Sequence, residues 1–252
     1  MIKVKSIYLN NHPATIIQTS QDEPPHRIVQ KLDIPSPRAV LVLNGGTAKL
    51  DENLQEHLRR LLQEGVAKYV AEHGVVVVTG ATDAGIFSIF GEGLHRYNVQ
   101  TPCIGVAVKA LVTWKGRLPR WLPHQWLDNG REPLEPHHTH FVLVDGKNWG
   151  DETEMMYRLV QELSQNCPSL AIFAGGGTIT LGEMELNVSQ QRQMILIEGS
   201  GRTTDSVVEE HSGISTVNPR FTNIAKKGRI SIFSLQDNPE KLEQMIHHLL
   251  FS

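Results

Sequence analysis

Four glycine-rich turns hold the residues of this 252-residue chain best suited to chemistry. They are Asn44-Gly45-Gly46-Thr47, Thr79-Gly80-Ala81-Thr82-Asp83-Ala84-Gly85, Gly175-Gly176-Gly177-Thr178 and Glu198-Gly199-Ser200-Gly201-Arg202. Glycine permits positive φ and close backbone approach, so amide N–H groups can converge on a phosphate at the mouth of a helix. Thr47, Thr79, Thr82, Thr178 and Ser200 add hydroxyl donors. Arg202 adds a guanidinium suited to bidentate phosphate contact, the alternative being a surface ion pair with Glu198 or Asp205. Any one such turn after a strand serves tight turning alone. Four at one edge of a sheet point to an anion-binding site. The expected ligand contacts are therefore Gly45, Gly46, Thr47, Thr79, Gly80, Ala81, Thr82, Gly175, Gly176, Gly177, Thr178, Gly199, Ser200, Gly201 and Arg202.

None of these turns runs on into a glycine-lysine-serine/threonine sequence, so magnesium-dependent triphosphate hydrolysis has no support. Gly80 and Gly85 are five residues apart, unlike the dinucleotide fingerprint, and ordinary hydride transfer is not expected. Asp145, in Val144-Asp145-Gly146, lies at the same strand edge and could accept ribose hydroxyls or cap its own turn. The acids considered for catalysis are Glu183, Glu185, Asp145 and Asp83. Trp126 is the tryptophan expected to stack on a base, although long loops also bury aromatic residues as anchors. His138 and His140 would share one face of an extended chain, as a metal pair needs, with His137 beside them. No third ligand is fixed by the sequence, so no metal is expected and a structural or orienting role is favoured.

Such turns need parallel strands to align them. From residue 37 onward, short β-branched apolar runs alternate with segments of helical period. The runs are 39–43, 75–78, 103–108, 141–144, 170–173, 194–197 and 230–233. Apolar residues on successive positions indicate strands buried on both faces. The expected fold is α/β, a Rossmann-like mostly parallel sheet with helices on both faces. Leu54, Leu58, Leu61, Leu62 and Val66 form one helical stripe with Asp51 as its N-cap. A second helix follows Gly150, with Asp151 and Glu154 as a capping-box-like pair, and a third opens at Asn238-Pro239. Residues 1–36 form edge strands and a loop packed on the core. Residues 37–252 form the main domain, with an insertion at about 109–140 that suits a lid or binding loop.

A formal net charge of -3 argues against broad binding of nucleic acid, so an anionic ligand must be captured locally. No apolar run is long enough to span a bilayer and no signal-peptide core is visible, so a cytoplasmic location without membrane contact is expected. The two cysteines, Cys103 and Cys167, lack the spacing of a metal or disulfide motif. The fold class is compatible with a homo-oligomer, but no interface is specified.

Several of these segments together resemble the SLOG superfamily over about residues 37–235. They are Leu41 to Gly46, Val78 to Ala81, His138 to Gly146, Gly175 to Thr178 and Glu198 to Arg202. More closely they resemble its LSDAT branch, the N-terminal domain of TRPM cation channels and its free-standing prokaryotic relatives. The resemblance implies a Rossmannoid fold and, as in some channel relatives, ADP-ribose bound at the strand ends. It makes Thr79, Gly80 and Thr82 candidates for pyrophosphate or ribose, and Arg202 for phosphate. Trp126 stands where those channels carry a nucleotide-contacting tyrosine. No channel segment is present, so no ion conduction is expected. A second branch, the cytokinin-activating phosphoribohydrolases, is similar around Gly175-Gly176-Gly177-Thr178 and places a catalytic glutamate three residues after the threonine. That position is Leu181, and a helical step of two residues turns Glu183 by about 200° from it.

The expected function is a nucleotide-binding or sensor domain for ADP-ribose, NAD or a related nucleotide, with no further cofactor. The alternative is an enzyme that hydrolyses a nucleotide N-glycosidic bond. A protein-interaction module with a vestigial site is the third reading.

Overall fold

The computed structural model describes residues 2–47, 51–117, 130–214 and 218–252. Its centre is a nine-stranded sheet in the order β1-β2-β8-β5-β4-β3-β9-β10-β11. The strands are β1 (Lys3–Leu9), β2 (His12–Thr19), β3 (Val40–Gly45), β4 (Val76–Gly80), β5 (Cys103–Val108), β8 (His140–Val144), β9 (Ser169–Ala174), β10 (Gln193–Glu198) and β11 (Arg229–Ser234). Every pair is parallel except β1 with β2. That hairpin turns on Asn10 and Asn11, both with positive φ, as a two-residue turn between right-twisted strands requires.

Alternation along β3 shows how the layers form. Leu41 and Leu43 join one core with Leu58, Leu61 and Val66, while Val40 and Val42 join the other with Ile28, Leu159 and Val207. The first layer holds α2 (Glu52–Arg60), a wide π-helical stretch (Leu61–Ala67), α3 (Lys68–His73), α4 (Gly85–Arg96) and α9 (Pro239–Phe251). The second holds α1 (Pro25–Leu32), α5 (Thr153–Leu163), α6 (Thr178–Ser189), α7 (Arg202–His211) and α8 (Pro219–Lys227). The chain is thus an α/β Rossmann-like fold with helices on both faces.

Two caps stand where the sequence puts them. The Leu54 amide donates to Asp51 at 2.9 Å and the Glu240 amide to Asn238 at 3.0 Å. The pair Asp151 and Glu154 is not a capping box. The Asp151 carboxylate instead accepts the amides of Lys147 and Asn148, closing the loop before α5. The N-terminal segment is more integrated than edge strands and a loop, because β2 pairs with β8 and α1 buries Ile28 and Leu32. Of residues 109–140, the described ones contribute β6 (Val112–Thr113), β7 (Glu132–Pro133) and a bridge from Thr82 to Leu134. Trp126 lies outside the described residues. Among the described residues no helix is long and apolar enough to cross a membrane.

Candidate functional site in the cleft at the strand ends

After β3 the chain adds β4, β5 and β8 on one side, then returns to place β9, β10 and β11 on the other. The connections after β3 and β9 therefore diverge and leave a crevice beyond the carboxyl ends of the strands. A cleft of about 530 Å³ occupies this switch point, within the range of small-molecule sites. Its walls are Gly45, Gly46 and Thr47 after β3, Gly80, Ala81 and Thr82 after β4, and Gly177, Thr178 and Glu183 after β9. Arg202, Trp149 and Glu152 also line it. A smaller cavity of about 140 Å³ adjoins it, sharing Gly46 and Arg202 and lined also by Gly175, Gly176, Ser200 and Gly201.

Three helices start at this rim. Phe87 in the first turn of α4, Thr178 to Thr180 in that of α6, and Arg202 at the head of α7 all border the cleft. Aligned peptide dipoles make such a rim electropositive, although the amides of Ile86, Phe87 and Thr204 already donate to the Gly46, Ala84 and Gly175 carbonyls. Arg202 strengthens it. Among the described residues its guanidinium enters no ion pair, because Asp205 accepts the amides of Gly199 and Gly201, each at 2.9 Å. Its backbone lies in the left-handed region at φ 57°, a strained state for arginine.

These bonds revise the expected contribution of the last turn. The Gly199 and Gly201 amides are occupied by Asp205, and the Ser200 hydroxyl donates to the Ile197 carbonyl while accepting the Gly175 amide at 2.8 Å. These donors are thus engaged within the turn that leads into Arg202. Thr79 is fully buried outside the cleft lining. Asp145 also lies outside it, exposed and paired with Lys109 at 2.5 Å. Asp83 is exposed beside another hollow, and Glu185 is held by two bonds from Arg220 at 2.7 and 2.6 Å.

Glu183 is the sequence-derived acid that reaches the cleft. Thr180 and Ile179 precede it by three and four residues, which puts all three on one face of α6, whereas Leu181 is buried in the core. The 200° turn from position 181 therefore carries the carboxyl toward the cleft. Burial, with the charge of Glu152 second, pushes its pKa up to about 8. That shift favours the protonated form of the carboxyl. Burial also raises Glu152, whose carboxylate accepts the Gly150 amide at 2.8 Å.

Trp149 and Glu152 were not foreseen. Their signal was position, since Asn148-Trp149-Gly150 follows β8 at the same sheet edge as the glycine turns. Trp149 is 39% exposed, although it lines the cleft. Behind the cleft, the Tyr157 hydroxyl donates to Asn44 Oδ1 at 3.1 Å and accepts from Asn187 at 2.7 Å, tying α5 and α6 to the β3 turn. Tyr157→Phe should cost about 1–2 kcal/mol, because it strands the buried Asn44 oxygen and removes one of the two bonds from Asn187 Nδ2, and urea unfolding would measure it.

Comparison with known proteins accords with this arrangement. The family model described as "SLOG in TRPM, prokaryote" matches residues 38–244. The mouse transient receptor potential cation channel subfamily M member 2 is 22% identical over 227 residues, covering 77% of this chain and 15% of the channel. A subfamily M member-like 2 channel of Nematostella vectensis is 22% identical over 270 residues, 88% of this chain and 17% of its own length. The trpm channel of Drosophila melanogaster is 24% identical over 230 residues, 79% and 11% respectively. The chain thus spans under a fifth of the curated relatives it matches. With the family model matched across most of its length, the chain belongs to the prokaryotic family of SLOG domains related to those of TRPM channels.

Proposed function

We propose that this protein binds a nucleotide of the ADP-ribose or NAD kind in the switch-point cleft and acts as a binding or sensor domain. Arg202 carries this reading: its backbone is held at positive φ, and its guanidinium, without an ion pair among the described residues, lines a cleft ringed by three helix N-termini. Membership of the SLOG family supports a nucleotide-related role. The phosphates would lie between Arg202 and the first turn of α6, where Gly177 leaves room. Trp149 would stack on the base, a contact worth about 1–3 kcal/mol.

Calorimetry with ADP-ribose, NAD, AMP and cyclic nucleotides tests this reading. At least one should bind saturably, and Arg202→Ala should weaken it about 10- to 100-fold, the worth of a charge-assisted hydrogen bond pair. Equal affinity in the variant would contradict the assignment.

The placement of Glu183 favours a second reading, hydrolysis of the nucleotide's N-glycosidic bond. The Glu183 carboxyl lines the cleft two residues beyond Leu181, the position at which the phosphoribohydrolase pattern places its glutamate. A neutral carboxyl in the cleft is equipped to protonate a leaving base. Chromatography after incubation with each nucleotide decides between the readings. Turnover abolished by Glu183→Gln supports the enzyme, and unchanged substrate at high protein concentration leaves the sensor.

A further inference from the structure

Away from the cleft, three histidines from distant parts of the sequence meet at one point. His12 opens β2, His95 stands in the last turn of α4, and His137 lies in the loop before β8. Their ring centroids are 5.7 Å (His12 to His95), 5.6 Å (His12 to His137) and 4.8 Å (His95 to His137) apart. One nitrogen from each ring lies within 4.8 Å of the other two. Neither His12 nor His95 makes a side-chain hydrogen bond among the described residues.

His137 is pinned from behind. Its Nδ1 meets Glu135 Oε1 at 2.8 Å and its backbone amide donates to Glu135 Oε2 at 2.8 Å. Glu135 is 1% exposed and also holds buried His138. An imidazole bound to a buried carboxylate through one nitrogen presents the other, unprotonated, as a ligand, which is the usual support behind a metal-bound histidine. The run His137 to His140 thus contributes one ring here, because His138 is buried against Glu135 and His140 meets Thr139 at 2.8 Å.

We propose that His12, His95 and His137 form a site for a divalent transition-metal cation of the zinc class, with Glu135 orienting His137. Three neutral imidazoles suit zinc, cobalt, nickel or copper, whereas calcium and magnesium require oxygen ligands. Tetrahedral bonding at about 2.0–2.1 Å sets ligand nitrogens about 3.3–3.4 Å apart. His12 and His95 are exposed, so small rotations of their rings close the remaining gap. The fourth position opens to solvent. A bound cation would clamp the N-terminal hairpin to α4, the helix whose other end walls the cleft.

The test is titration of chelator-treated full-length chain with zinc, followed by calorimetry, and with cobalt, followed by its visible d–d absorption. One equivalent should saturate the protein and give the absorption of a low-symmetry four-coordinate ion. His12→Ala and His95→Ala, both surface changes, should each weaken binding at least about tenfold, and Glu135→Gln about 10- to 100-fold. His57→Ala, on α2 away from the cluster, should leave it unchanged. Absence of saturable binding, or equal affinity in His12→Ala and His95→Ala, would overturn the site. Neither result bears on nucleotide binding, which is read separately through Arg202.

Discussion

Gly85→Ala should destabilise the protein by at least about 3 kcal/mol, because the substitution combines a disfavoured dihedral with a backbone collision. Gly85 has φ 53°, and a Cβ there would stand 2.2 Å from the Gly46 carbonyl oxygen and 2.6 Å from the Thr47 Cα. Neither atom belongs to a flexible side chain that could swing aside. The turn after β4 packs directly on the turn after β3, and the Ile86 amide donates to Gly46 O at 3.3 Å across the contact. Relief of the clash must separate the two turns that form one wall of the cleft. Gly182→Ala is the matched control. It sits inside α6 with nothing within 4 Å of its Cβ, so it should be stabilising by up to about 1 kcal/mol. Urea unfolding of the two variants would reveal the contrast. A Gly85→Ala midpoint close to that of the parent would mean that the turns are not packed as described.

The second large effect depends on pH. The Glu183 carboxyl, pushed up to about 8 by burial and then by Glu152, holds a proton in the folded protein that the unfolded chain releases near 4.5. Its contribution to stability is complete below 4.5 and is lost as pH rises through 8, since the folded state is the one that binds the extra proton. Between about pH 6 and pH 9 this amounts to about 2–3 kcal/mol. Glu183→Gln keeps a neutral hydrogen-bonding group and should remove most of that slope, leaving the variant more stable than the parent at about pH 9. Parallel stability profiles for parent and variant would show that Glu183 is ionised in the folded protein at neutral pH.

The central strands were legible because each carries a continuous apolar run, a pattern that β3, β5 and β10, buried along most of their length, display plainly. The caps at Asp51 and Asn238 were legible because a cap is a local matter of one side chain and an amide two or three residues on. Most of the glycine turns also lie at the cleft, since parallel strands aim their ends the same way. What the sequence did not disclose depends on distance. That Asp205 occupies the Gly199 and Gly201 amides is a matter of which donors a helix's first turn consumes. Glu183 faces the cleft because the neighbouring face of α6 is claimed by the core through Leu181 and Met184. The convergence of His12, His95 and His137 depends on the sheet order, which places β2 beside β8. Spacing along the chain carries no trace of that neighbour relation.

A crystal structure of the protein soaked with ADP-ribose tests the central claim most directly. The account predicts the diphosphate within hydrogen-bond reach of Arg202 and the first turn of α6, with an aromatic face of Trp149 toward the base. A nucleotide bound elsewhere on the surface, or a cleft left empty at saturating ligand, would contradict it.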